Sequence, residues 1–179
     1  MLDSEKCRRI IEQGATQQEA FAWFDQLEIV NSADILGLWK GIEIKTGHPL
    51  EGVLSASNWF GKRFINEEQV DPLVCLKNDG TLYNVNPLLI PLDLPIDKLP
   101  LISIKLGMRL FQHLLATDKS AARIRMITYR GKTTASMIYD DKAIIDVFRK
   151  IDDQTLLGVM DFKMRKVDKS YFFVLRKVR

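Results

Sequence analysis

The stretch Gly37-Leu38-Trp39-Lys40-Gly41 is the most informative part of this sequence. It stands where a helical N-terminal part ends and Ile42-Glu43-Ile44 begins to read as a β-strand. Glycines in a strand allow other groups to approach the backbone closely, and an indole is large enough to close the end of a small barrel. The pattern therefore predicts the first strand of an antiparallel barrel, with Trp39 filling its floor.

The composition predicts one globular domain. The chain has 179 residues, of which 46% are hydrophobic and 27% charged, and its net charge is only +3. A chain of this length can bury a core without disulfides or metals, and the small net charge gives no reason to expect a nucleic-acid partner. We divide the domain into a helical lead-in (1–35), a first half around the signature (36–120) and a final antiparallel meander (121–179).

The lead-in contains a helix start, and the middle of the chain contains a weaker helical signal. Thr16-Gln17-Gln18-Glu19 has the pattern of a capping box, in which Thr and Glu bond each other's backbone N–H at a helix N-terminus. Residues 50–60 are predicted to be weakly helical, with Gly61 as the stop. Val74-Cys75-Leu76 and Leu82–Val85 flank an Asp79-Gly80 turn and predict a hairpin.

Five regularly spaced runs in the last third predict strands joined by hairpins. They are Ala122–Tyr129, Thr133–Tyr139, Ala143–Ile151, Thr155–Phe162 and Tyr171–Val178. Ala143–Ile151 also fits a helical face, but its β-like neighbours favour a strand. Thr155–Phe162 is apolar on both faces, so something must cover its outer side. Either the N-terminal helices or a second subunit could do so, and the second alternative predicts a homodimer.

Several ordered motifs resemble the GXWXG-domain family and the domain of unknown function usually fused behind it. Those of the first half are Gly37–Gly41, Thr46–Pro49, Asn58–Phe64 and Val85–Pro87. Those of the second half are Tyr129–Gly131, Met137–Asp140, Ile145–Arg149 and Leu157–Asp161. The likeness covers about residues 16–178 and implies little about activity, because this family is largely uncharacterised.

A more distant resemblance connects Gly37 and Trp39 with lipocalins and nitrobindin-like barrels. It implies a fold that is mainly β with helical additions (α+β), a lipocalin-like antiparallel barrel with the N-terminal helices packed against it. In lipocalins the matching tryptophan packs beneath an arginine, for which Arg176 is the candidate here. The haem-binding histidine of nitrobindin-like barrels has no counterpart, since no histidine follows His113. We therefore expect no cofactor.

Acid–base candidates are few. His48, in a Gly-His-Pro turn, could act as a general base or orient a ligand, or it could only fasten the turn. Asp146 and Asp161 are the carboxylates that could work with it. No metal site is expected, because there is no His-Glu-x-x-His motif and the two cysteines lie far apart.

The meander also carries polar side chains that would be costly to bury without a partner. We expect Asp146 to pair with Arg149 or Arg125; alternatively, either arginine could hold an anionic head group to which Tyr129 or Tyr139 donates. The candidate ligand-binding residues are thus Trp39, Arg125, Tyr129, Tyr139 and Arg149.

The function predicted first is binding of a small apolar or amphipathic ligand in the barrel. The alternatives are a small-molecule enzyme using His48 with Asp146 or Asp161, and a module that contacts a phosphate-bearing surface through the basic stretch 163–179. An enzyme is the less favoured reading. The stretch 163–179 has seven basic residues against Asp168 alone: Lys163, Arg165, Lys166, Lys169, Arg176, Lys177 and Arg179.

Cys7 and Cys75 are read as free thiols of a cytoplasmic protein, and no apolar run is long enough for a transmembrane segment.

Overall fold

The computed structural model of the protein describes residues 2–91, 98–164 and 166–178, so that Arg165 and Arg179 of the basic stretch lie outside the described residues. Two helices come first: α1 (Leu2–Gln13) and α2 (Gln17–Gln26). The strands are β1 (Gly37–Ile44), β2 (Trp59–Phe64), β3 (Val70–Leu76), β4 (Leu82–Asn84), β5 (Ala122–Tyr129), β6 (Lys132–Tyr139), β7 (Ile144–Asp152), β8 (Thr155–Phe162) and β9 (Tyr171–Lys177). Between strands lie α3 (Val53–Ala56), a short 3₁₀ turn (Pro87–Leu89) and α4 (Leu101–Leu115).

The strands form an antiparallel ring. Their order is β2-β1-β9-β8-β7-β6-β5-β3, and β2 pairs with β3 to close the circle. β3 pairs with β5 through Val70 and Ala122, and β4 pairs with the other end of the same edge of β3. The prediction of a mainly β, α+β fold with an antiparallel barrel is confirmed.

Local sequence signals placed most strands correctly. The predicted runs Ala122–Tyr129 and Thr155–Phe162 coincide with β5 and β8 end to end. The ambiguous run Ala143–Ile151 is a strand, shifted by one residue to Ile144–Asp152. The prediction for residues 50–60 was largely wrong: only Val53–Ala56 is α-helical, and Trp59 already begins β2.

Two N-terminal helices cover the outer face of the meander. Thr16 Oγ1 accepts the Glu19 backbone N–H at 3.1 Å, and Glu19 Oε2 accepts the Thr16 N–H at 2.9 Å, so the predicted capping box starts α2. Phe24 of α2 is fully buried, and its ring lies edge-on to Phe172 of β9 at 6.5 Å. Val159, on the outer face of β8, joins the same apolar cluster. Of the two alternatives predicted for the outer face of β8, the N-terminal helices or a second subunit, the structure shows that the helices cover it.

No helix within the described ranges combines the length and apolar character that crossing a membrane would need.

Candidate ligand-binding cavity

Trp39 of β1 is buried in one of the two apolar clusters. Its side chain is 1% exposed, and its indole N–H donates to the Ile35 carbonyl at 2.6 Å. The cation above the ring is Lys177, whose Nζ lies 5.3 Å from the ring centroid. The predicted contact with Arg176 was wrong because Lys177 pairs with Trp39 and Arg176 with Lys40; successive strand residues face opposite sides of a sheet.

The second glycine of the signature makes room for another tryptophan. A Cβ atom at Gly41 would collide with the six-membered ring of Trp59, so only a glycine lets this indole lie across β1. Gly61 of β2 has a similar role, since a Cβ there would collide with the carbonyl oxygen of Trp39. Strands β1 and β2 therefore approach closely, and Trp59 is held against the barrel wall.

Beside Trp59 lies a cavity of about 560 Å³. Its walls are mostly apolar and come from strands β2 and β3, the inner face of β6–β9, helix α4, and the two segments 50–57 and 85–91 that contain α3 and the 3₁₀ turn. Representative residues are Leu73 of β3, Phe173 of β9, and Met108 and Phe111 of α4. The interior of the ring is thus partly hollow, and α4 forms one side of the hollow space.

A buried ion pair lies in this apolar wall. Lys62 Nζ is 2.8 Å from Asp146 Oδ2, and the two side chains are 4% and 3% exposed. Nζ also donates to the Pro72 carbonyl at 3.3 Å. It lies over three aromatic rings, 5.6 Å from the centroid of Trp59, 5.7 Å from that of Tyr139 and 5.2 Å from that of Phe173. Among the described lining residues, Lys62 and Asp146 are the charged ones.

Burial favours the neutral forms of two groups in the cavity, Asp146 and Tyr139. It raises the pKa of Asp146, and the nearby ammonium of Lys62 counteracts only part of that effect. The pKa of Tyr139 is raised well above its ordinary value, first by burial and second by the charge of Asp146. Tyr139 therefore offers a neutral hydroxyl.

A second polar group adjoins the first. The Tyr171 hydroxyl donates to Glu43 Oε1, and Glu43 also accepts backbone N–H groups from Gly52 at 3.2 Å and Ser55 at 3.0 Å. Burial, and then the negative charge of Glu43, raise the pKa of Tyr171 well above its usual range. Tyr171 lines the cavity, whereas its partner Glu43 is not among the described lining residues.

His48 is buried against this pair. Its ring lies edge-on to Tyr171 with centroids 5.4 Å apart, and its Nδ1 accepts the Leu50 N–H at 3.1 Å. The turn-fastening hydrogen bond that the sequence allowed is therefore present. Asp146 faces the interior, whereas Asp161 follows the cavity-lining Met160 on β8 and is exposed. The two candidate carboxylates thus lie on opposite faces of the sheet.

The predicted ligand-binding residues are dispersed. Tyr139 lines the cavity, whereas Trp39 borders a smaller hollow of about 260 Å³ together with Lys177. Arg125 pairs with Glu68 at 2.8 Å on the surface. Tyr129 packs edge-on to Phe24 of α2, with ring centroids 6.2 Å apart, on the outer side of the sheet.

Arg149 is also outside the barrel. It is fully buried beneath α2, stacks on Phe24 at 4.7 Å and donates to the Tyr129 carbonyl at 2.9 Å. Burial lowers its pKa. The predicted ion pair of Asp146 with Arg149 or Arg125 was wrong, because the partner of Asp146 is Lys62.

Sequence reasoning missed Lys62, the central cation. Two irregularities interrupt the pairing of β2 with β3, one between Trp59 and Gly61 and one between Gly61 and Arg63. As a result, Trp59 and Lys62 both line the cavity although they are three positions apart. The available signal was the motif Asn58–Phe64, in which a lysine stands among aromatic residues.

Fold and site together define a small antiparallel barrel with a partly hollow, apolar interior. Residues 22–80 match the model of the GXWXG protein family, and residues 120–177 match that of the domain of unknown function DUF4334. Both domains that the sequence motifs resembled are therefore matched, and the strands of the second one complete the ring.

A solved structure extends the likeness over the whole chain. The crystal structure of a protein from Thermomonospora curvata is similar with a TM-score of 0.74 and 29% sequence identity, over 100% of both chains. No curated protein matches this sequence.

Proposed function

We propose that the protein binds a small apolar or amphipathic molecule in the cavity next to Trp59. The observation that carries this proposal is the cavity itself: about 560 Å³, within the range of roughly 300–1,000 Å³ that ligand sites occupy. Apolar walls with a few convergent polar groups are typical of such sites. The distant resemblance to lipocalins, which hold ligands inside a barrel, agrees with the proposal.

The lining favours a ligand with an extended apolar body. Each buried CH₂ contributes about 0.8 kcal/mol, so a chain of about ten carbons would gain roughly 8 kcal/mol before the cost of association is subtracted. Such a ligand would exchange contacts with water for contacts with Leu73, Met108 and Phe173. An empty apolar hollow offers none of these contacts.

Helix α4 provides a position at which the cavity can be filled by mutation. Gly107 lines the cavity, and a Cβ atom added there would meet nothing within 4 Å. The larger side chain of Gly107→Phe should therefore occupy ligand space. Gly107→Ala is the matched control, because it also replaces the glycine of the helix but adds little volume.

The direct test is native mass spectrometry of the purified protein, which would show a copurified molecule, together with titration of the neutral fluorescent dye Nile red. We expect the dye to bind to the natural protein and to Gly107→Ala, and to bind much more weakly to Gly107→Phe. Trp59 lines the cavity, so its emission should change on binding. Equal dye binding by both variants would contradict the proposal.

A second copy of the chain remains our proposal for the protein partner. Ile102, Leu106, Leu110 and Leu114 stand at intervals of four on α4 and are 54–73% exposed. Such a row is a ridge that can pack against the same ridge of a symmetry-related helix. Light scattering should show a dimer that Leu106→Gln with Leu110→Gln converts to a monomer; a monomeric natural protein would refute this.

We also keep the cytoplasm as the proposed location. Cys7 and Cys75 are free, buried thiols, as expected of a protein from a reducing compartment. Fractionation of cells that express the tagged protein would test this location.

A further inference from the structure

We infer that the ligand carries an uncharged hydroxyl or carbonyl group, and that this group binds to the Lys62–Asp146 pair inside the cavity. The inference rests on the proposed function and specifies the chemical class of the ligand. It replaces the anionic head group considered from the sequence, for which Arg125 and Arg149 were the expected partners.

The first step of the argument is charge balance. The ammonium of Lys62 and the carboxylate of Asp146 already neutralise each other at 2.8 Å. No further charged side chain lines the cavity in the part of the chain that the structure describes. Glu43 lies nearby, but it is occupied by the hydroxyls of Tyr171 and Ser55 and by backbone N–H groups of Gly52 and Ser55.

A charged head group would therefore enter this space without a counter-ion. Moving an ion from water into an apolar site is strongly unfavourable unless an opposite charge meets it. A carboxylate would have to compete with Asp146 for Lys62, and an amine would have to compete with Lys62 for Asp146. A neutral head group avoids both penalties.

The second step is the hydrogen-bonding capacity that the pair leaves open. An ammonium has three donors, and Lys62 uses two of them, toward Asp146 and the Pro72 carbonyl. A carboxylate has about four acceptor positions, and the bond to Lys62 uses one at Asp146 Oδ2. A hydroxyl group can accept from Lys62 and donate to Asp146 simultaneously, and a carbonyl can accept from Lys62.

Two aromatic side chains that carry neutral donors, Tyr139 and Trp59, have their ring centroids within 6 Å of Lys62 Nζ. The phenol of Tyr139 lines the cavity, with its ring beneath Lys62 Nζ. The buried Nε1 of Trp59 has no hydrogen-bond partner among the described residues, and the Trp59 side chain is 91% buried because its exposure is 9%.

The test compares probes of equal chain length that differ in their head group: decanol, decanoate and decylammonium, each displacing Nile red at pH 8. We expect decanol to displace the dye at about tenfold lower concentration than either ion. Equal or better displacement by decanoate would overturn the inference while leaving the proposed function intact. Failure of Nile red to bind at all would instead refute the proposed function.

Variants of the pair make the test specific. Asp146→Asn keeps the shape and leaves the Lys62 charge uncompensated, so decanoate should gain about tenfold relative to decanol. Lys62→Met with Asp146→Leu should retain Nile red binding and lose the preference for decanol over decyl methyl ether. The matched control is Arg125→Gln with Glu68→Gln, which removes a surface ion pair of the same 2.8 Å length and should leave every ratio unchanged.

Unchanged ratios in both Lys62–Asp146 variants would overturn the assignment to this pair. A far-ultraviolet circular dichroism spectrum and a single thermal transition are required of each variant, so that altered ratios are read only from folded protein. Should Asp146→Asn fail to fold, the double apolar variant still decides, because replacing a buried pair by apolar residues commonly preserves the fold.

Discussion

The indole of Trp59 occupies the place that a side chain at Gly41 would take. The last glycine of the Gly-x-Trp-x-Gly signature therefore helps to shape the cavity. It allows Trp59 to lie across β1, with the centroid of its ring 5.6 Å from the ammonium nitrogen of Lys62. A motif on one strand thus fixes the position of an aromatic residue on the next.

Gly41→Ala should destabilise the protein. The new methyl group would collide with Trp59, and overpacking of this kind costs about 1–3 kcal/mol in the free energy of unfolding. Urea titration followed by circular dichroism measures the change. Gly107→Ala is the control, because its Cβ meets no neighbour within 4 Å; equal stability of the two variants would contradict the close packing of Trp59 on Gly41.

Lys62→Met alone should cost more stability than the double variant Lys62→Met with Asp146→Leu. The single change leaves a carboxylate in an apolar wall, and breaking a buried pair costs about 3–5 kcal/mol, whereas replacing both partners is often neutral. Urea unfolding at pH 7 compares the two.

The pH dependence of the single variant follows from Asp146. Its pKa in the folded protein is already raised by burial, and loss of Lys62 raises it further. Such a group contributes stability that is complete below its unfolded pKa and is lost as the pH rises through its folded pKa. The free energy of unfolding of Lys62→Met should therefore fall as the pH rises above about 4, the ordinary pKa of an aspartate, and more steeply than that of the double variant. A flat profile would show that Asp146 is not buried in the single variant.

The buried thiol of Cys75 should make the protein less stable in alkaline solution. Burial raises the pKa of its thiol from 9.0 to about 12, so the unfolded chain releases this proton first and stability falls as the pH rises above about 9. At pH 10.5 the loss from this group should reach about 2 kcal/mol. Urea unfolding of the natural protein and of Cys75→Val, at pH 8 and pH 10.5 with a reductant present, measures the loss of stability that comes from Cys75. The two proteins should differ at the higher pH, and parallel losses would refute the assignment.

Lys177 and Arg176 offer a matched pair of cations on β9. Lys177→Met keeps an unbranched side chain over Trp39 and removes the charge, so we expect a loss of about 0.5–1 kcal/mol. Arg176→Met should not change the environment of Trp39, since Arg176 is exposed and pairs with Lys40. Thermal unfolding together with near-ultraviolet circular dichroism of the tryptophans distinguishes them. An effect of Arg176→Met alone on the tryptophan signal would contradict the observed register.

Local chemistry explains why part of the fold was predictable. The capping box of Thr16 and Glu19 and the strands of the meander depend on residues a few positions apart, and such signals survive in the sequence alone. The strand at Ile144–Asp152 was harder, because its apolar positions also fit a helix. Its β-like neighbours on both sides decided in its favour.

The candidate site depended on contacts that the sequence does not display. Lys62 and Asp146 are distant in the chain and meet only because the sheet closes on itself. The irregular pairing of β2 changes which side chains face inward between Trp59 and Lys62, so alternation counted along the strand gives the wrong face. The register of β9 with β1 has a similar effect: because Trp39 pairs with Lys177, this lysine and not the neighbouring Arg176 lies over the indole.

By itself, the sequence determined the two domain types and the antiparallel β architecture. These follow from short motifs and from periodicity, which express steric and burial requirements of nearby residues. Only the tertiary structure decided that the interior is partly hollow and which charged side chains line the cavity. Closure of the ring and the position of α4 set the distance between residues far apart in the chain, and that distance determines whether a charge is buried, paired or exposed.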